Sequence, residues 1–99
     1  MGLTFEQILE FRGISLNEHL RYLSELGFLP ESLMVETKPA FPLRFYTSNW
    51  KVEILREEKV RITSTFIVEA LFFRFQSDTE EGLNHLISLY RKKTMRAGG

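Results

Sequence analysis

Three side chains of this 99-residue chain could take part in acid–base or metal chemistry: Glu69, His19 and His85. Glu69 lies inside the apolar run TFIVEALFFRF, where a buried carboxylate must find a charged partner or take up a proton. With a raised pKa it could act as a general acid or base, although such a residue is more often part of an ion pair. The arginines that could pair with it are Arg44, Arg61 and Arg74.

The two histidines do not show the spacing of a helical zinc site. Neither is followed four residues later by His, Asp or Glu. His19 lies beside the apolar stripe of its predicted helix, so we expect it to be a partly buried packing residue. The chain also has no glycine-rich phosphate loop and no nucleophile elbow. We therefore predict that the protein is not an enzyme and has no catalytic residue, metal or cofactor.

Charge is distributed unevenly along the chain. Basic and acidic residues number 13 each, but all the acidic ones lie before residue 82, whereas four basic ones lie after residue 90. Arg91, Lys92 and Lys93 suit the C-terminal end of a helix, because they complement its dipole. The same three residues could add a weak, salt-sensitive contact to phosphate, so nucleic acid is a possible partner.

The stretch EQILEFRGISLNEHLRYLSELGFL resembles the helix-turn-helix of small bacterial and archaeal repressors, particularly the winged kind. The matching features are Gly13 in the turn, Ser15 at the start of the next helix and a later RFYTSNW that could begin a wing. In such families the second helix enters the major groove of DNA. The resemblance implies base contacts from Ser15, Asn17, Glu18 and Arg21, and makes a DNA-binding regulator one alternative function.

The ending Ala97-Gly98-Gly99 resembles that of ubiquitin-like and sulfur-carrier proteins. In that class the terminal glycine carboxylate is adenylated, and glycines are needed because a thin arm must thread a narrow active site. The resemblance implies a β-grasp fold, which opens with a β-hairpin and ends in a strand before the arm. Capping patterns in this sequence instead predict a helix at the start of the domain and another before the arm. A carrier with a Gly-Gly tail is a further alternative function.

Composition bounds the class of protein. The length corresponds to one domain, and 43% hydrophobic with 26% charged residues is typical of a globular chain. The absence of cysteine excludes disulfides and thiolate chemistry within these residues and fits a reducing compartment. We find no signal-peptide pattern and no apolar stretch approaching roughly 18 residues. We therefore expect a cytoplasmic protein without a membrane segment.

Capping patterns predict three helices, at about 5–12, 16–26 and 78–93. Thr4 with Gln7 and Ser15 with Glu18 form two capping boxes, and Gly13 and Gly27 are suitable terminators. The first two helices would form an N-terminal αα-hairpin. The last would be capped by Asp78, and its apolar stripe is Leu83, Leu86, Ile87 and Tyr90.

Period-two alternation predicts strands at about 43–47, 50–56, 59–63 and 65–76, with turns at TSN and REEK. LMVET could add a short edge strand. The predicted fold is α+β: an N-terminal αα-hairpin, an antiparallel meander of three to four strands and a C-terminal helix.

The last predicted strand is apolar on both faces. Phe66, Val68, Ala70 and Phe72 continue the inner face begun by Trp50, Val52 and Ile54. The other face carries the candidate interface residues Ile67, Leu71, Phe73 and Phe75. Because large apolar patches rarely stay exposed on monomers, we predict that this face meets a second copy or a protein partner. The main functional prediction is thus a small non-enzymatic interaction or regulatory module, most simply a homodimer.

Overall fold

The computed structural model describes residues 5–31 and 40–98, with side chains up to residue 95. The elements in chain order are β1 (Phe5–Arg12), α1 (Leu16–Glu25), β2 (Leu29–Pro30), β3 (Leu43–Tyr46), β4 (Trp50–Arg61), β5 (Ile67–Ser77) and α2 (Glu80–Gly98). The predicted mixed α+β class and C-terminal helix are confirmed. The possible strand in LMVET lies outside the described residues.

Within the described residues, the strands form one antiparallel sheet in the order β1-β5-β4-β3-β2. The central strand β5 pairs with β1 on one side and with β4 on the other. Both helices pack on the same face of this sheet, because His19 of α1 and Tyr90 of α2 each contact the ring of Phe73. We call this covered face the inner face.

The prediction of a helix at 5–12 is wrong, because these residues form β1. Every residue of β1 has a partner on β5, from Phe5 opposite Ser77 to Arg12 opposite Ala70. An isolated helix of this length is marginal in water, whereas an open strand edge offers a full set of backbone partners. The αα-hairpin therefore does not form. Gly13 keeps its predicted left-handed conformation, with φ +80°, but it joins a strand to a helix.

The second predicted helix is confirmed as α1. The Ser15 hydroxyl accepts a hydrogen bond from the N–H of Glu18 at 3.2 Å, as expected for an N-cap. The helix ends before Gly27, which has φ +90°, and the N–H of Phe28 then donates to the carbonyl of Leu23 at 2.9 Å. This is the glycine-terminated ending that the pattern predicts.

The predicted turn at REEK is wrong, because β4 continues from Trp50 to Arg61. Its pairing with β5 is irregular between Ile54 and Arg56, so Leu55 is an extra residue in the ladder. A one-residue bulge exchanges the two faces of a strand. Accordingly, Ile54 lies opposite Phe73, whereas Arg56 lies opposite Phe72.

The bulge reverses the predicted assignment of faces on β5. Three of the four residues assigned to an uncovered face, Leu71, Phe73 and Phe75, lie on the inner face and are fully buried. Phe72, predicted to point inward, lies on the outer face, where the guanidinium of Arg56 is 3.9 Å from its ring centroid.

Beyond the bulge, β4 and β5 continue as a two-stranded arm. The pairing of β1 with β5 ends at Ala70, and that of β3 with β4 ends at Ile54. The arm therefore pairs mainly with itself. Ile62, Phe66 and Ile67 are about half exposed at its tip.

The start of α2 is tightly packed around Gly82. Thr79, rather than the predicted Asp78, is the cap: its hydroxyl accepts a hydrogen bond from the N–H of Gly82 at 2.9 Å. A Cβ at position 82 would lie 2.5 Å from Oγ of Ser77 and 2.8 Å from Oγ1 of Thr79. The hydroxyl of the buried Ser77 accepts a hydrogen bond from the N–H of Thr79 at 3.4 Å, and that of Thr79 caps Gly82, so neither hydroxyl can move without losing a contact.

We therefore predict that Gly82→Ala lowers the free energy of unfolding by about 1–2 kcal/mol, although alanine normally favours a helix. Asn84→Ala, at an exposed position two residues later, is the matched control and should be neutral or slightly stabilising. Urea unfolding of both variants measures the difference. A Gly82→Ala variant as stable as Asn84→Ala would contradict the close contact.

Candidate functional site: the C-terminal helix and its anchor

The first part of α2 is fixed to the domain by its apolar face. The predicted stripe is confirmed, since Leu83, Leu86, Ile87 and Tyr90 are all buried. Tyr90 is the largest fully buried side chain described. It contacts the rings of Phe73 and Phe75 on the inner face of β5. The helix axis is thereby set through residue 90.

A buried hydrogen bond joins α2 to α1. Nδ1 of His19 lies 2.5 Å from the hydroxyl oxygen of Tyr90, and the two rings are nearly parallel. Nε2 of His19 is also buried and has no hydrogen-bond partner among the described residues. Burial lowers the pKa of His19 to about 4 and raises the pKa of Tyr90. Both groups are therefore neutral near pH 7. His19 packs in the core, but it is fully buried and not partly buried as the sequence led us to expect.

A second contact fixes the helix one turn later. Nζ of Lys93 lies 2.9 Å from Oε1 of Glu25, at the end of α1. Arg91 and Lys92, the other two members of the predicted basic cluster, are exposed. Lys93 is thus committed to a contact within the chain, while Arg91 and Lys92 face solvent.

The helix continues past its anchors, five residues beyond the predicted end at residue 93, to Gly98. The hydroxyl of Thr94 donates to the carbonyl of Arg91 at 2.9 Å, a bond within the helix itself. Met95 is 73% exposed. Met95, the last side chain that the structure describes, therefore projects from the domain, and the helix continues to Gly98 beyond the anchored residues.

Glu69, the candidate acid or base, is exposed on the arm. It lies beside Glu57, whose pKa is raised by partial burial and by the neighbouring charge of Glu69. Its proposed arginine partners pair elsewhere: Arg44 and Arg74 bind the two oxygens of Glu53, at 3.0 and 3.2 Å. These two ion pairs share Glu53 and cross the outer face of the sheet. In the described residues, no group of three or more metal-ligating side chains could hold a metal ion.

The remaining predicted site residues are spread over the molecule. Ile67 is exposed on the arm, so it lies apart from the buried Leu71, Phe73 and Phe75. Ser15 is the cap of α1, and Asn17 and Arg21 are exposed on it. Because residues 5–12 form a strand, the predicted helix-turn-helix is absent from the described structure. His85 is exposed, with its ring 5.9 Å from that of Trp50.

The sequence pattern placed Tyr90 in the apolar stripe of α2 and His19 beside the apolar stripe of α1, but it did not predict the contact between them. The two residues are 71 positions apart, so no local pattern connects them. The Arg44–Glu53 pair was also missed, because a three-residue turn at TSN would place Arg44 opposite Val52. The N–H of Thr47 donates to the carbonyl of Trp50, so the turn is the two residues Ser48 and Asn49, and Arg44 lies opposite Glu53.

Neither helix in the described part of the chain is long and apolar enough to span a bilayer. No curated protein and no solved structure matches the chain. A family model described as archaeal MoaD-like protein matches residues 7–99, which is nearly the whole chain and includes the two final glycines. This family fits the coarser functional prediction of a small, non-catalytic carrier or interaction module that acts through protein partners.

The structure departs from the β-grasp order that the resemblance to carriers implies. The first described element is a strand, but β1 pairs with β5 rather than forming a hairpin with the next strand along the chain, and α2 runs to Gly98 where a strand is expected. The match nevertheless runs from Gln7, the third residue of β1, to the end of α2. The chain therefore belongs to the archaeal MoaD-like protein family.

Proposed function

We propose that this protein is a sulfur carrier whose working group is the carboxylate of Gly99. One observation supports the proposal above all: the family match extends over α2 and through the Gly-Gly pair. These 99 residues contain no cysteine, so a thiol of this chain cannot hold the sulfur. A carboxylate at the end of two residues without Cβ atoms can enter a narrow active site.

The chemistry requires little from the chain itself. The Gly99 carboxylate attacks the α-phosphate of ATP, which forms an acyl-adenylate and releases pyrophosphate. The terminal sulfur of a persulfide on a partner protein then attacks the acyl carbon and displaces AMP, which leaves an acyl disulfide between the two proteins. Two electrons from a thiol reductant cleave its S–S bond, so that the tail ends in a thiocarboxylate and the partner regains its thiol. The carrier supplies the acyl group, the partner supplies the persulfide, and ATP and the reductant are co-substrates.

The described contacts suit this division of roles. Tyr90 and the Lys93–Glu25 pair hold α2 against the domain, while the hydroxyl of Thr94 bonds within the helix and Met95 is exposed. Exposed Arg91 and Lys92 lie immediately before this segment. They would meet an acidic surface around the active site of the activating partner, and this contact would be sensitive to salt.

The test uses the full chain, ATP and an adenylating enzyme from the same organism. We expect pyrophosphate release and, with a sulfur donor, a mass increase equal to the replacement of one oxygen by sulfur. A variant lacking Gly98 and Gly99 should show neither, with an unchanged unfolding midpoint. Pyrophosphate release that is equal in the truncated variant would refute the proposal, as would a native protein whose intact mass extends beyond Gly99.

Charge reversal tests the partner contact separately. Arg91→Glu with Lys92→Glu should raise the KM for the carrier and leave kcat nearly unchanged, because the contact lies outside the reacting group. Lys59→Glu with Arg61→Glu, at exposed positions on the arm, is the matched control and should change neither constant.

A further inference from the structure

The open edge of β1 is the longest unpaired strand edge in the described sheet. β1 is the terminal strand, and all eight of its residues pair with β5 on its other side. At the opposite end of the sheet, β2 has only two residues, one of which is Pro30. Short strands and prolines are common protections against edge pairing. The two edges therefore differ sharply in their capacity to accept another strand.

The backbone groups at this open edge can be assigned. The N–H of Gly13 donates to the carbonyl of Glu69 on β5 at 3.0 Å. Along an antiparallel strand, the N–H and C=O groups of alternate residues point to the same side. Odd-numbered residues of β1 therefore bond to β5. The residues whose backbone groups face the open edge are Glu6, Ile8, Glu10 and Arg12.

β1 lacks most of the usual protections of an edge, although Glu6, Glu10 and Arg12 give it three charged side chains. Its register with β5 has no bulge, and its sequence FEQILEFR has no proline and no lysine. Ile8, near the middle of the strand on the outer face, is 51% exposed, and Phe5 is 39% exposed. A long, regular edge with exposed apolar side chains favours pairing with another strand.

The strand is also complementary to itself. In a twofold dimer with a continuous sheet, residues that lie opposite each other must share a face. Placing Leu9 opposite its own copy satisfies this condition and sets Glu6 opposite Arg12 of the second copy, twice. The neighbouring allowed registers are worse. Centring on Ile8 places Glu6 opposite Glu10 twice, and centring on Glu10 places that residue opposite itself.

We propose that the protein forms a homodimer by antiparallel pairing of β1 with β1 of a second copy, centred on Leu9. In this register, Glu6, Ile8, Glu10 and Arg12 exchange backbone hydrogen bonds across the interface, and the two sheets become one. The occupant of the edge is thus a second copy of this chain. This surface is independent of the tail, so the dimer does not require the carrier function.

Sedimentation equilibrium of the full chain over a wide concentration range tests the proposal. We expect a reversible monomer–dimer equilibrium. Ile8→Pro should abolish the dimer, because it removes an N–H that faces the open edge and spares the ladder with β5. Circular dichroism should show that the variant retains its fold. A wild-type protein that stays monomeric at millimolar concentration would overturn the proposal.

Charge exchange provides a second test, which does not depend on proline being tolerated. Glu6→Arg should weaken the dimer by about tenfold, because two attractive cross-strand pairs become repulsive. Adding Arg12→Glu to that variant should restore most of the affinity. A dimer that persists unchanged in Ile8→Pro, or one for which the second substitution gives no recovery, would place the interface elsewhere.

Discussion

Replacing Phe73 by alanine should lower the free energy of unfolding by about 3–5 kcal/mol, a large part of the stability of a small domain. Phe73 is fully buried and contacts the rings of Phe11, His19 and Tyr90. Its truncation would leave a cavity where β1, α1 and α2 meet on the sheet. Urea unfolding with a common m-value provides the measurement.

Phe72, the adjacent residue, is the matched control. It lies on the outer face and is only partly buried, with the Arg56 guanidinium over its ring. Phe72→Ala should therefore cost only about 1 kcal/mol. Equal costs at the two positions would contradict the bulge at Leu55, and a larger cost at Phe72 would restore the predicted assignment of faces. If the loss of unfolding free energy in Phe73→Ala depended on protein concentration, Phe73 would lie in an interface between chains.

Acidification should destabilise the fold through His19. Its pKa is about 4 in the folded protein and about 6.5 when unfolded, because burial disfavours the charged ring. The unfolded state binds more protons between these two values, so stability rises with pH across that window. The His19 contribution is complete above about pH 6.5 and is lost as the pH falls to about 4. The difference corresponds to about 3 kcal/mol.

The double variant His19→Leu with Tyr90→Phe isolates this effect. It removes both polar groups of the buried pair, so no hydroxyl is left without its partner. At pH 7 its free energy of unfolding should therefore differ less from that of the wild type than the free energy of either single variant does. Carboxylates contribute to acid unfolding in both proteins, so the informative quantity is the difference between the two pH profiles. Parallel profiles between pH 4 and 7 would show that His19 does not titrate as its burial requires.

Local patterns predicted the elements that local contacts determine. Ser15 and Gly27 bound α1 through contacts within a few residues, and the stripe from Leu83 to Tyr90 identified the buried face of α2. β1 was predicted as a helix because its capping pattern is local, whereas its pairing with β5 joins residues 58 (Arg12 with Ala70) to 72 (Phe5 with Ser77) positions apart. The face of β5 was misassigned because a bulge leaves no clear sequence signal, yet one extra residue reverses every position after it.

The candidate site shows the same division. The Ala-Gly-Gly ending is visible in the sequence, but the helices predicted at the two ends of the domain did not distinguish a carrier from other small domains. Recognition depended on the family match across residues 7–99. The anchor of the helix, the contact between His19 and Tyr90, could not be predicted, because it exists only when α1 and α2 lie on the same face of the sheet.

Residues 94–98 are much shorter as a helix than they would be as an extended chain. Five residues span about 7 Å as a helix and about 17 Å when extended. Unwinding this segment would therefore more than double the reach of the tail beyond the ion pair of Lys93 with Glu25. Among the described side-chain contacts, it would break only the hydrogen bond from the Thr94 hydroxyl to the carbonyl of Arg91. A partner that takes up the tail would thus set its own distance from the domain by the number of residues it unwinds.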